Sequence, residues 1–597
     1  MKKNLVISSE NKNSDSNKNL YLNYLFYTNL ADTSDSFSEA ENMVEHYSKN
    51  IDDICFHEDE CEKIYINIFN NLVIEFNKLH KKNYDKKALS LILGHWLKRF
   101  IKVCYDRYFL LTNSFKNNKI EKLNIIDTEN YNFSTKESGG IFFASIDPNW
   151  NYALTSRMIK FFTMNDYIIS TFKKKNTILD FELKKFSEAN YRSLKFVIAK
   201  KILDLFETFQ KKENSVITST YFPYFYEKKL EFGIGQLPRH WDFNYQVESE
   251  FDLFKRKKMN LSDNLNKINL ENFIKLILPL TLPVSFIEGF EDLLKKQSSF
   301  PGKPKFIFSC SSYDMNDLFK IYSATKISSG TKIISGQHGS GSFLLPESKY
   351  LPELKFSDYY MTWGNNDRKE FFPLFNHKIF LKTNKSNVGE NLVIFSRSLG
   401  YCVSLHDRQK ENISTISTLH NLSNKLSKKI LDNTRIKPHS FKNKNLHHNL
   451  LSLYKNINLK KLEDQDFFES TKKSKISLFL YNSSGILECL ALNKPVVCYW
   501  PDTYKQINPK FIKKFELLKE SKIFFDNENS LVDHLESCWD DVPSWWDDSR
   551  TKKNIREFNK DLNLKPENQL YKNFSTFLLN LNNKNDINKT DDIYTLW

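Results

Sequence analysis

Two short runs of this chain carry side chains whose types and spacing can do chemistry. The first is Asn482-Ser483-Ser484-Gly485 with Glu488 behind it, inside ISLFLYNSSGILECLALNKPVVCYW (residues 476–500). It reads as a buried strand, a turn of small polar residues, a short helix and a second buried strand. Backbone N–H groups at the start of that helix lack an intrahelical partner, and the helix dipole adds partial positive charge. Such a turn at the carboxyl end of a parallel strand suits the phosphate of a nucleotide. Glu488 follows about one helical turn later on the same face, placed to accept from hydroxyls of a ribose or sugar. The plainer reading has Ser483 or Ser484 capping the helix and Glu488 complementing its dipole.

The second run is SGQHGSGSF (residues 335–343), where His338 sits between Gln337 and Gly339 just after a strand. Three glycines in six residues let a backbone take positive φ and approach a ligand closely. A histidine on that loop can act as general base on an acceptor hydroxyl, a role worth roughly 10²–10⁴-fold in rate. It can also simply hydrogen-bond its own turn. No Gly-Lys-Ser/Thr follows, so the loop is not a P-loop.

Three further places are candidates. Ser311 and Ser312 follow a strand and precede Asp314, a turn that either contacts phosphate or caps a helix. Lys437 and His439, in KPHS, close a strand and either reach a nucleotide phosphate or are simply exposed at the strand end. Asp147 ends IFFASI (residues 141–146), which reads as a strand; at that strand's carboxyl end it rivals His338 as the base. His447-His448 lacks partners at ligand spacing, so neither a metal nor a cofactor is expected; a nucleotide-sugar would be a substrate.

The elements that position these residues follow from the rest of the chain. At 597 residues the length suggests two or three domains, and 40% hydrophobic with 15% aromatic residues excludes wholesale disorder. Residues 40–113 are helical in pattern. From 305 strands and helices alternate, a polar stretch (TNKSNVGE, 383–390) interrupts, and alternation resumes from 392. Two βα modules around a linker predict an α/β fold of two Rossmann-like domains facing a cleft, the GT-B plan, with a large helical elaboration of the amino-terminal domain. The expected boundaries are 1–385 for an acceptor domain with its helical insertion at about 40–113, 390–565 for a nucleotide-donor domain, and 566–597 for a helical tail.

Net charge is +15 with pI about 9.0. Nucleic acid, an anionic membrane and a negatively charged small substrate can each account for that. No RNP, zinc-finger or basic-zipper signature is present, so nucleic acid is not expected. Lysine groups at 255–258, 303–305, 472–475 and 552–553 suit peripheral contact with the anionic inner face of a plasma membrane. Eight cysteines without a CxxC pair, no secretory signal and no unbroken apolar span point to a cytoplasmic protein.

These motifs together resemble a family of transferases encoded in bacterial O-antigen and surface-polysaccharide clusters. The resemblance runs through residues 76–108, LPVSFIEGFEDL (282–293), the 311–343 block, YMTWG (360–364), the 482–500 block and DDVPSWWDD (540–548). It implies a GT-B-like glycosyl or related transferase, with His338 and Glu488 on motif positions; the residues themselves give no ground to expect that it needs a metal. The chain departs from the family at its opening, which is not tryptophan-rich, and at Ser342-Phe343, where Tyr-Gly is expected. Lys437-Pro438-His439 with Ser483-Ser484 is similar to the His-Pro and Ser-Ser elements of transferases that use CMP-linked acidic sugars, with Ser440 replacing a second proline. The expected function is sugar transfer from a nucleotide-activated donor to a surface-polysaccharide or lipid-linked glycan acceptor. The His-Gly loop is also similar to that of glycerol-phosphate polymerases. Phosphoglycerol or phosphoalcohol transfer is therefore the alternative, as is a non-catalytic assembly protein.

Overall fold

The computed structural model describes residues 2–7, 16–22, 42–48, 50–163, 168–170, 213–261, 267–339, 344–364, 368, 371–380, 389–396, 403–405, 409–438, 460–462, 467–500 and 507–583. Near the amino terminus, β1 (Lys2–Val6) pairs with β2 (Asn19–Tyr21) in a small parallel sheet that is completed further along the chain. The helical elaboration is a hairpin of α1 (Ile51–His80) and α2 (Lys86–Asn117). Asn50 and Asp53 form a capping box on α1, and Lys81 in the left-handed region stops it. Asp85 caps α2, which is buried at nearly every position from Ala88 to Tyr105 and so forms the centre of the largest core. Then β3 (Lys119–Lys122) joins the first sheet beside β1, and β4 (Asn124–Ile126) precedes two further helices.

IFFASI is helical, which corrects the strand expected there. A 3-10 turn at Ser138–Gly140 runs into α3 (Ile141–Ala144), and α4 (Pro148–Phe162) follows. The carbonyls of Ala144 and Ser145 accept from Asn151 Nδ2, and Ser145 O also accepts from Arg107 Nη2 at 2.9 Å. Those groups satisfy the backbone locally, so it needs no neighbouring strand. After β5 (Ile168–Ser170), which pairs with β4, come β6 (Val216–Ile217), α5 (Tyr224–Gly233) and the proline-broken pair α6 (Leu270–Thr281) and α7 (Phe290–Lys296).

The amino-terminal sheet then assembles from β7 (Phe306–Ser309), α8 (Asp317–Ile327), β8 (Lys332–Gly336), β9 (Tyr359–Thr362) and β10 (Phe371–Pro373). Its order is β6-β7-β8-β9-β10, wholly parallel and in chain order. Strand alternation divides its faces. Ile307 and Ile333 turn toward α2 and α8, while Phe306, Phe308 and Ile334 turn the other way.

The carboxyl-terminal half opens with β11 (Asn391–Ser396), α9 (Gln409–Lys425), β12 (Thr434–Pro438) and β13 (Lys460–Lys461). It continues through β14 (Ser474–Phe479), α10 (Ser484–Ala491), β15 (Val496–Tyr499), α11 (Ile512–Glu520) and β16 (Phe524–Phe525). The sheet order β13-β12-β11-β14-β15-β16 is parallel throughout and reverses direction between β11 and β14. That is the doubly wound Rossmann order, whose crevice lies at the carboxyl ends of the two strands flanking the reversal. α12 (Glu528–Cys538) and α13 (Ser549–Asn559) close this half.

Finally α14 (Asn568–Asn583) returns to the amino-terminal sheet, where Tyr571, Phe574, Phe577, Leu578 and Leu581 share a core with β7 and β9. The segment entering it ties the halves together. Buried Asn563 donates to Leu487 O at 2.6 Å on one side and accepts from Asn376 Nδ2 at 2.9 Å on the other. The fold is thus mixed α/β with parallel sheets in two halves. Among the described residues no helix is long and apolar enough to cross a membrane.

Candidate active site

The turn after β14 lies at the reversal point of the carboxyl-terminal sheet. Leu480 N donates to Phe395 O of β11 at 3.2 Å, and the Phe479 and Phe395 rings stack at 4.6 Å. Ser483 is the helix cap: its hydroxyl accepts from Gly485 N at 3.2 Å. A Cβ on Gly485 would meet the Phe467 ring at 2.7 Å and the Phe479 ring at 2.9 Å. Only glycine lets α10 start this close to the sheet, which is why the turn ends in one. Glu488, one turn into α10, is 5% exposed.

The facing wall is built from the carboxyl ends of β6, β7, β8 and β10. After β6, Ser219 (φ 52°) and Tyr221 (φ 64°) both adopt the left-handed region that side chains other than glycine rarely occupy. The result is that Tyr221 OH hydrogen-bonds His338 Nδ1 in the loop after β8. Burial pushes the Tyr221 hydroxyl well above its usual pKa, so it stays protonated. Gln337 is fixed beneath the loop: its side chain accepts from Trp363 N at 2.8 Å and donates to Gly339 O at 3.0 Å.

Two of that loop's three glycines work differently from the sequence expectation, and Gly341 lies outside the described residues. Neither Gly336 nor Gly339 takes positive φ. Gly336 is needed for close approach, since a Cβ there would lie 2.3 Å from Cys310 Sγ, whereas nothing lies within 4 Å of a Cβ on Gly339. After β7, Ser311 N and Ser312 N both donate to Ser309 Oγ, and Ser312 Oγ donates to Ser219 Oγ at 2.9 Å. The two serines thereby brace the loop that carries Tyr221. Behind them Arg99 pairs with Asp314, Nη2 to Oδ2 at 3.0 Å, and His95 Nδ1 lies 3.6 Å from Oδ1. Burial pushes the Asp314 carboxyl up, but Arg99 and His95 outweigh it and hold it well below the usual carboxylate range.

Lys378, in the loop after β10, spans the gap between the walls. Its Nζ lies 3.4 Å from Ser484 Oγ, 4.9 Å from the Tyr221 ring centroid and 5.7 Å from that of Trp363. Burial lowers its pKa, while the charge of Glu488 opposes that shift. The His338 ring is solvent-accessible, yet protein crowds it from the cleft walls. That crowding and then Lys378 push its imidazole down to about 4, with Asp314 pulling the other way. His338 is therefore neutral at physiological pH.

Of the residues the sequence singled out, the structure brings His338, Ser311, Ser312, Ser484 and Glu488 together around Tyr221 and Lys378. Asp147 caps α4, accepting from Trp150 N at 2.7 Å; with no strand at IFFASI, the premise that set it beside His338 falls. Lys437 is half-buried near the end of β12, next to β11, and His439 lies outside the described residues. Tyr221, Lys378, Arg99 and Asp314 were missed as site residues. Each comes from a different loop or helix, and TSTYFPYFY and FNHKIF carry no spacing that marks them. Among the described residues no group of three or more His, Cys, Asp and Glu side chains is placed to hold a metal ion.

Anabaena Alr3699/HepE, solved in complex with UDP and glucose, is similar at 10% identity over 51% of this chain and 88% of its own, with a TM-score of 0.30. S. aureus MnaA, solved with UDP, is similar at 11% identity over 77% of this chain and 97% of its own, with a TM-score of 0.32. No curated protein matches the chain in sequence. The family described as LIC12162 family transferase matches residues 3–574, nearly the whole chain, and the protein belongs to that family of transferases.

Proposed function

We propose that the protein transfers a sugar from a nucleotide-activated donor to a hydroxyl of a surface-polysaccharide or lipid-linked glycan acceptor. One observation carries this reading: Lys378 and the start of α10 meet across the same gap that His338 faces through Tyr221. Lys378 and the positive end of α10 together favour an anion between them, beyond the single charge that Glu488 already sets against Lys378. A donor phosphate is such an anion.

In this reading the phosphate rests against Asn482, Ser484 and the first turn of α10, with Lys378 as its counter-charge. Lys437, near the end of β12, adds a further nucleotide contact, and Glu488 serves a ribose or sugar hydroxyl. The bond between sugar and phosphate breaks and the phosphate keeps the electron pair. The acceptor oxygen forms the new bond and its proton passes to His338. When His338 Nδ1–H donates to the Tyr221 oxygen, the Nε2 lone pair is left for that proton. Phosphate beside Lys378 also offsets the charge that depresses His338, so donor binding makes the imidazole a better base.

Thermal shift against CMP, UDP, GDP and CDP tests the reading. A nucleotide at 100 times its dissociation constant stabilises by about 2.7 kcal/mol. One of the four is expected to raise Tm in the wild type and to do so much less in Ser484→Ala and Lys378→Ala. No saturable response to any nucleotide defeats the proposal and favours a non-catalytic assembly protein. Product mass distinguishes sugar transfer from phosphoalcohol transfer, which leaves a bridging phosphate.

A further inference from the structure

We infer that the outer face of α5 docks on an anionic lipid surface. Phe225 and Phe232 on this helix are 72% and 70% exposed, and Lys229 is exposed between them. Positions i, i+4 and i+7 share one helix face, so the three form a continuous Phe-Lys-Phe stripe. A single exposed apolar residue is ordinary; two phenylalanines flanking a lysine on a ten-residue helix are not.

Charge complementarity identifies the occupant. α5 contains two glutamates, and both are turned away from the stripe. Glu227 accepts from Thr220 Oγ1 at 2.9 Å. Glu231 is fully buried and accepts from Lys228, Trp241 Nε1 and Arg239 N. Lys572, on the α14 helix packed beside α5, is exposed as well. The surface therefore presents rings and ammonium groups, with the helix carboxylates withdrawn. Rings that enter the acyl boundary beside lysines that meet anionic headgroups are how a helix lies on a bilayer. Pro223, which precedes α5, is two residues from Tyr221, so the helix starts beside the amino-terminal wall of the site. A lipid-linked acceptor would arrive there.

The inference stands apart from the transfer reaction, because vesicle binding is measured without donor or acceptor. The full chain is sedimented with vesicles of phosphatidylcholine alone and of phosphatidylcholine mixed with phosphatidylglycerol. Binding to the mixed vesicles is expected, with little to the neutral ones. Phe225→Ser/Phe232→Ser should weaken it by about tenfold or more, and Lys229→Glu severalfold, with Tm unchanged in both. Phe56→Ser, altering a residue 59% exposed on α1, should leave binding as in the wild type. Absence of wild-type binding overturns the inference, as does a double variant that binds normally. Self-association that the double variant abolishes, without vesicle binding, assigns the face to a protein interface and equally overturns it.

Discussion

The two walls of the cleft are made in opposite ways. The carboxyl-terminal wall is one contiguous turn, Asn482 to Gly485, set at the reversal point of a doubly wound sheet and held by a single helix cap. The amino-terminal wall is a composite: Tyr221, Asp314, His338 and Lys378 come from the ends of four strands in a sheet that runs in chain order. A contiguous wall supplies backbone groups and tolerates few changes of shape. A composite wall supplies side-chain chemistry, and each group depends on its neighbours for charge and orientation. The difference teaches that binding and proton transfer should be separable by mutation in this protein.

The sharpest separation is at His338. His338→Ala should lower turnover at least a hundredfold, the scale of a lost general base, while the nucleotide-induced rise in Tm stays near its wild-type size. Unchanged turnover would strip the amino-terminal wall of its base. Lys378→Ala breaks the contrast where Lys378 of one wall reaches Ser484 of the other. Loss of a charged hydrogen bond to phosphate costs about 1.5–3 kcal/mol, so donor affinity should fall roughly ten- to a hundredfold by titration. An unaltered affinity would place the phosphate elsewhere.

Two glycines compare the walls at the level of packing. Gly485→Ala puts a methyl group 2.7 Å from the Phe467 ring in a buried place, and should destabilise by about 1–3 kcal/mol in denaturant unfolding. Gly339→Ala meets nothing within 4 Å and should leave stability nearly unchanged. Equal effects would mean that the contiguous wall is no more tightly set than the composite one.

The same difference governs what the sequence discloses. The strand-turn-helix-strand unit around 482 is local, so apolar runs, a Ser cap and a glycine were enough to place it; five of the six strands of its sheet, all but β13, then followed the expected alternation. His338 was visible because it stands beside glycines, although the reason for Gly336 is Cys310, a residue 26 positions earlier that no spacing connects to it. Lys378 and Tyr221 owe their roles to side chains more than a hundred residues away. IFFASI was misread because a six-residue apolar run suits a strand or a buried helix equally. Asp147-Pro148 after it is a helix-start signal, Asp capping and Pro at the first position, and would have decided the matter. Arg99 and His95 lay hidden in a helix read only for its apolar periodicity.

The finest test uses the charges that act on His338 from either side. The imidazole accepts a proton only when neutral, and in the free protein it is neutral above about pH 4. The profile of kcat/KM should therefore stay flat as pH falls through 6.5, where an ordinary histidine would lose activity, and decline only near 4. Lys378 lowers the His338 pKa and Asp314 raises it. Lys378→Ala should move the acid limb up and Asp314→Asn should move it down, opposite shifts from two single changes in one wall. Both profiles must be read where the fold persists. Buried His80 and His377 are pushed down to about 3, so between that value and about 6.5 the unfolded chain binds more protons than the native one, and these groups make stability fall as pH drops. Near-UV circular dichroism at each pH separates loss of fold from loss of the base. Shifts in the same direction, or an acid limb that stays near 6.5, would show that Lys378 and Asp314 do not govern the ring and that the composite wall does not act as one unit.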